Sequence, residues 1–163
     1  MHIPDLSTNG YVAAGSALRA VGWLEQGHTF QTGRSSAAFT KALHSHLTNS
    51  FGVWAFIGSH QCSLCPADEG AHGRLQVSAD GQSYVQHVLS KATAPYGNGE
   101  LYIPTNELCY VSPVLIAHYV EAHNYSPPQE FSAALLMCPP QHSTEYLELM
   151  GPFLPCLRQE ISI

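Results

Sequence analysis

Two short motifs far apart in the chain constrain its fold more than any other feature. The first is Cys62-Ser63-Leu64-Cys65, and the second is His118-Tyr119-Val120-Glu121-Ala122-His123. Thiolates and imidazoles are the preferred donors for a tetrahedral metal ion, and two cysteines two residues apart can grip one from a single tight turn. If both motifs face the same ion, the chain must bring them together whatever lies between. The spacing in the second motif raises an objection. On a regular helix, His118 and His123 would project about 140° apart. Asn124 and the Ser126-Pro127-Pro128 that follows put His123 at a helix end, where the last turn loosens and the objection weakens. His118 lies on the apolar face with Leu115, Tyr119 and Ala122, where a core histidine hydrogen-bonded to backbone is the competing reading.

His60, two residues before Cys62, shares its side on an extended strand and is a reserve ligand or a donor behind the ligands. Cys109 is a second possible ligand, although a strand cysteine more often serves as a small buried hydrophobe. A redox pair is disfavoured for Cys62 and Cys65. Thioredoxin-type chemistry needs a helix after the motif, whereas Pro66-Ala67-Asp68-Glu69-Gly70 follows here, with acids that oppose a thiolate. Metal binding therefore ranks ahead of free thiols, and free thiols ahead of redox exchange.

Flanking patterns place the motifs on elements. LRAVGWL (18–24) and VWAFI (53–57) have strand character, the second leading directly to the cysteines. Ser35 can cap a helix running to about Leu47, with Phe39, Leu43 and Leu47 at helical spacing. RLQVS (74–78) reads as a returning strand, and QSYVQHVLSKA (82–92) as a short helix. ELYIP and ELCYVS alternate well and predict a hairpin turning at Thr105-Asn106. Ser112-Pro113 predicts a helix start, and Asn124 its left-handed stop. Ser126 to Gln129 has the form of a capping box for a second helix, ended by Pro139-Pro140, and Ser143 can cap a third. Strands followed by helices predict an α+β fold: a mostly antiparallel sheet with helices on one face and a C-terminal helical segment. A chain of 163 residues supports a single domain, 1–163.

Composition narrows the function classes. Net charge is -6 and the six basic residues are scattered, so no basic stripe is available for nucleic acid or an anionic membrane. No apolar run approaches the ~18 residues of a membrane span. The N-terminal MHIPDLSTNG lacks the form of a secretory leader, and an odd number of cysteines, five, suits thiols rather than disulfides. Both point to the cytoplasm.

Catalytic signatures are missing. HEXXH does not occur, HYVEAH departs from the inverted H-x-x-E-H pattern by one residue, and no H-x-E accompanies the C-x-x-C as in zinc deaminases. G-x-S-x-G, P-loop and dinucleotide-binding patterns are also missing. Glu121 is the candidate general base beside such a site, although a solvated helix glutamate is the favoured reading of that residue.

VGWLEQGHTFQTG, GSHQCSLC and YVSPVLIAHYVEAHNYSPPQEF together resemble an uncharacterised bacterial family of small cytoplasmic proteins. Its members read V-G-W-L, then G-x-H-x-C-x-x-C, then Y-x-x-P-x-x-I-x-H-Y-x-x-x-H-x-Y-x-P-P-x-x-F. The likeness runs over about residues 6–135; 66–98 match poorly, which implies a variable, loop-rich insertion there. It names no reaction, but it implies a shared site at His60, Cys62, Cys65, His118, Tyr119, His123 and Tyr125. The expectation is therefore a zinc ion held by Cys62, Cys65, His118 and His123, with His60 in reserve, in a binding or regulatory module with a protein partner. The competing classes are a metal-dependent hydrolase built on the same cluster, with Glu121 or His60 moving protons, and a metal-free interaction protein of the immunity type.

Overall fold

The alternating pair ELYIP and ELCYVS forms the hairpin that organises the sheet. The computed structural model describes residues 1–8, 17–52, 60–65, 96–97 and 99–158. Strand β4 (Glu100–Pro104) pairs antiparallel with β5 (Cys109–Pro113), with Leu101 opposite Ser112 and Ile103 opposite Tyr110. The turn is longer than the expected Thr105-Asn106, because Thr105 closes four residues on itself. Its N–H and its hydroxyl both donate to the Leu108 carbonyl, and the hydroxyl oxygen also accepts from the Leu108 N–H. This is the local side-chain bonding that suits threonine to turns. Strand β1 (Leu18–Ala20) adds parallel to the other edge of β5, giving the order β1-β5-β4. A two-stranded antiparallel ribbon pairs β2 (His60–Gln61) with β3 (Tyr96–Gly97). The described pairings are thus mostly antiparallel, as expected.

Side-chain alternation splits the sheet between two cores. Leu101, Ile103 and Tyr110 join the first, with α1 (Ala37–Thr48), α2 (Ile116–Ala122) and α3 (Gln129–Met137). Leu18, Ala20, Tyr102, Cys109 and Val111 join the second. That second face is covered by the C-terminal helical segment, α4 (Thr144–Met150), a 3-10 turn (Gly151–Phe153) and α5 (Leu154–Arg158). The period of two along each strand is what sends neighbouring residues to opposite cores. No helix among the described residues is long and apolar enough to cross a membrane.

Several boundaries move from their sequence expectations, each for a physical reason. The strand expected over 18–24 ends at Ala20, and Gly22 follows at φ 75°, a left-handed conformation that suits glycine. A Cβ there would also press on Ile116 at 3.2 Å, so Gly22 lets the chain pass close under α2. Ser36, one residue beyond the expected Ser35, caps α1, its hydroxyl oxygen accepting from the Phe39 N–H at 3.1 Å. Ser112-Pro113 does not open α2. Both residues belong to β5, Ser112 fully buried, and the helix starts after Leu115 with no side-chain cap. Ladder pairing with Leu101 and Glu100 overrides the local helix-start signal, and proline is tolerated at the strand end. The capping box at Ser126 does not form either. Pro128 is the N-cap of α3, and the Ser126 N–H donates to the Gln31 carbonyl instead. Asn124 at φ 53° and the Ser143 cap of α4 stand as expected. The strands expected at 53–57 and 74–78 and the helix expected at 82–92 lie outside the described residues.

Gln141 ties the first half of the chain to the second. It is buried, its Oε1 accepts from the Phe51 N–H at 2.8 Å, and its Nε2 meets His46 Nδ1 at 3.2 Å and the Tyr102 carbonyl at 3.4 Å. Burial holds the His46 imidazole below its ordinary value, which keeps it neutral and lets Nδ1 accept. Replacing Gln141 by Leu strands the Phe51 N–H and His46 Nδ1 away from water. The expected loss is about 2–4 kcal/mol of unfolding free energy, read by chemical denaturation. Leu147→Gln on the exposed side of α4 should stay within about 0.5 kcal/mol.

Candidate metal centre

Cys62 follows directly on β2 and is 2% exposed, whereas Cys65 is half-buried. Between them the chain makes a tight turn that directs the backbone N–H groups of Leu64 and Cys65 at Cys62 Sγ. Ser63 anchors this turn from outside, accepting a 3.0 Å bond from the Gln26 N–H. The other half of the cluster stands on α2. His118 lies within the helix among buried Ile116, Ala117, Tyr119 and Val120, and is itself buried.

His123 has left the helix. It is the C-cap residue at φ -114° and ψ 7°, its N–H bonded to the Tyr119 carbonyl, with left-handed Asn124 next. The last helical bond, His123 N–H to Tyr119, is kept, and only at His123 itself do the backbone angles depart from helical values. Yet the His123 ring stands beside that of His118, despite the separation of about 140° expected of a regular helix. The rings meet edge to face with centroids 4.9 Å apart, so that both Nε2 atoms point to one spot.

The result is a four-atom cluster in which the donor atoms of Cys62, Cys65, His118 and His123 all lie within 4.8 Å of one another. Cys62 Sγ is 3.3 Å from His123 Nε2, and Cys65 Sγ is 3.3 Å from His118 Nε2 and 3.4 Å from His123 Nε2. The two Nε2 atoms are 3.1 Å apart. A tetrahedral zinc ion with ordinary bond lengths needs edges of about 3.3 Å between nitrogens, about 3.5 Å between nitrogen and sulfur and about 3.8 Å between sulfurs. The three sulfur–nitrogen separations and the nitrogen–nitrogen separation given above agree with these edges to within a few tenths of an ångström.

The electrostatics suit the same chemistry. Burial pushes the Cys62 thiol up, but the His118 imidazole and the N–H groups of Leu64 and Cys65 outweigh it and hold the thiol below its ordinary value. His123 is pushed down by burial and by neighbouring His118, which favours the neutral, coordinating form of imidazole. Tyr119 is raised by burial and by the two thiols, so it stays a phenol, its hydroxyl turned to the Leu24 carbonyl at 3.5 Å.

The remaining candidates are placed elsewhere. His60 is exposed on β2 and is not one of the four clustered residues. With Gln61, Ser63, Trp23 and Tyr119 it lines an adjoining cavity of about 260 Å³. Cys109 sits in the second core, its sulfur 4.0 Å from Met150 Sδ, and so is not the fourth ligand considered for it. The Glu121 carboxylate is engaged by the His44 imidazole of α1 at the surface. One supporting residue carried no signal in the sequence. Asp5 receives the Tyr125 hydroxyl at 2.9 and 2.8 Å and the Gly22 N–H at 2.9 Å. It thereby pins the segment just after His123 to the N-terminal residues. A fully buried tyrosine requires a partner for its hydroxyl, but nothing in the spacing could name Asp5 as that partner.

No curated protein and no solved structure matches the chain. A family model does match, over nearly the span expected from the motifs, and that span carries both halves of the cluster while leaving out the C-terminal helices. Residues 1–136 fit the family described as a domain of unknown function (DUF7919), and the chain belongs to that family.

Proposed function

We propose that Cys62, Cys65, His118 and His123 hold one zinc ion in a closed structural site, and that the protein is a zinc-stabilised binding or regulatory module. The observation that carries this reading is the convergence of two sulfurs and two nitrogens within 4.8 Å, with four of their separations at 3.1 to 3.4 Å, near the edges of a tetrahedral zinc site. Four protein donors complete the coordination shell and leave no position for a reactive water, so the site favours architecture over catalysis. His60 is assigned no bond to the ion. The hydrolase alternative draws no support from Glu121, whose carboxylate is engaged by His44. A reducing compartment such as the cytoplasm is where the two thiols remain available to a metal. The partner on this reading is a protein, for which exposed Leu136, Met137 and Leu147 offer apolar contact, and the scattered basic residues argue against nucleic acid.

Elemental analysis tests the reading directly. Protein purified without chelator should carry about one equivalent of zinc, and Cys62→Ser less than about a tenth of that. The cobalt-substituted protein should show the strong visible bands of a tetrahedral site with two sulfur and two nitrogen donors; a spectrum of five- or six-coordinate cobalt would count against the closed site.

Stability should follow the metal. The ion would link positions 53 to 61 residues apart, so a strong chelator is expected to lower the unfolding midpoint by roughly 10 °C or more, and added zinc to restore it. His123→Ala should start near the chelated midpoint and respond little to either reagent.

Acid should expel the metal. Protons compete for thiolate and imidazole, so binding weakens as pH falls. Because Cys62 and His123 are both held below their ordinary values, competition begins lower than for unperturbed ligands. Zinc release followed with a chromogenic chelator should therefore have its midpoint below the ordinary imidazole value of 6.5.

A further inference from the structure

The five cysteines fall into two chemical groups. Cys109 is fully buried beside Met150, and its thiol is pushed far above the ordinary value by burial, while burial holds the Cys138 thiol at about 12. Neither supplies thiolate at neutral pH, and thiolate is the form that reduces a peroxide. Cys156 packs against the second core from α5. Cys62 and Cys65 are different. They share one tight turn, their sulfurs lie within 4.8 Å of each other, and their exposures are unequal. Cys65 is partly open to solvent, and Cys62 stands behind it at 2% exposure. Of these two, Cys65 is the one a small oxidant reaches first, and a thiol able to resolve the product is already in place.

Resting on the zinc reading above, we infer that this centre is a peroxide-responsive release site, in which a hydroperoxide joins Cys65 to Cys62 as a disulfide and the zinc ion departs. The Cys65 sulfur attacks one oxygen of the hydroperoxide. An S–O bond forms, the O–O bond breaks, and the second oxygen leaves as alcohol or water after taking a proton, so Cys65 becomes a sulfenic acid. The Cys62 sulfur then attacks the Cys65 sulfur. The S–S bond forms, the S–O bond breaks, and the hydroxide takes a second proton and leaves as water. The two sulfurs together lose two electrons and the peroxide oxygens gain them. A disulfide sulfur is too weak a donor to hold zinc, and His118 and His123 alone are half of a coordination set.

The division of ligands gives this step a structural consequence. Both oxidisable ligands lie on the turn after β2, and both ligands that resist oxidation lie on α2 and its cap. The new disulfide therefore closes only its own turn and ties it to nothing else. The link between the turn and α2 through the metal is lost, and the turn keeps its apolar packing in the first core, the Gln26–Ser63 bond and the β2–β3 pairing.

Zinc-loaded wild-type protein treated with about ten equivalents of hydrogen peroxide tests the inference, with released zinc read by a chromogenic chelator and the products by intact mass and peptide mapping. The expected result is a rise from under a tenth to about one equivalent of free zinc, a mass loss of about 2 Da, a disulfide mapped to Cys62 and Cys65, and recovery of the site on adding reductant with zinc. Zinc that stays bound with both thiols intact overturns the inference and leaves the structural zinc reading standing. So does release accompanied by a sulfinic acid on Cys65 without a disulfide, or by a disulfide to another cysteine. Protein that carries no zinc before peroxide is added overturns both.

Discussion

The convergence of two thiols and two imidazoles between the turn after β2 and the end of α2 is the constraint around which this structure is arranged. Donor atoms of this kind do not gather without a reason. Packed without an ion they must share protons through thiol–imidazole bonds, and one of two Nε2 atoms at 3.1 Å must be a donor to the other. With an ion, four strong donors are satisfied at once and a long segment of chain is closed into a loop. The observed sulfur–nitrogen distances of 3.3 to 3.4 Å fit thiol–imidazole hydrogen bonds and are also close to the edges of a tetrahedral metal site.

The surroundings hold these groups in place. Helix α2 is seated in the first core by Ile116, Ala117 and Val120, and Gly22 allows the chain beneath to approach Ile116 closely. The turn that carries His123 out of the helix is held from beyond by Tyr125, whose hydroxyl is anchored on Asp5. On the other side, Cys62 and Leu64 pack into the same core that seats α2. The second core, under the C-terminal helices, supports the sheet from the opposite face, with the Tyr146 hydroxyl and Gln141 both bonded to the Tyr102 carbonyl. The site thus belongs to one core, and the family match ends in α3, before the helices that cover the other face.

Much of this was legible in the residues. The alternation of ELYIP and ELCYVS, the helical spacing of Phe39, Leu43 and Leu47, the stop at Asn124 and the cap at Ser143 are all properties of short segments, and each appears in the structure. That Cys62, Cys65, His118 and His123 are candidate donors was also legible, because donor type and spacing are chemical facts that survive without a fold, but their meeting was not. Two of the departures, at the expected helix starts, share one cause. Ser112-Pro113 and Ser126 to Gln129 carry correct local signals for helix starts, but Ser112 is claimed by the sheet ladder and the Ser126 N–H by the Gln31 carbonyl. Long-range hydrogen bonds outcompeted local ones of similar strength because the backbone groups concerned are not left to water.

The sequence by itself determined which atoms could coordinate a metal, and which segments alternate as strands or repeat as helices, because these depend on residue identity and near neighbours alone. Only the tertiary structure decided that His123 turns back beside His118, that the two halves meet, that His60 and Cys109 stand elsewhere, and that Asp5 anchors Tyr125. Those outcomes rest on contacts between positions distant in the chain, where close packing and the need to satisfy each buried polar group choose among partners that local sequence leaves equivalent.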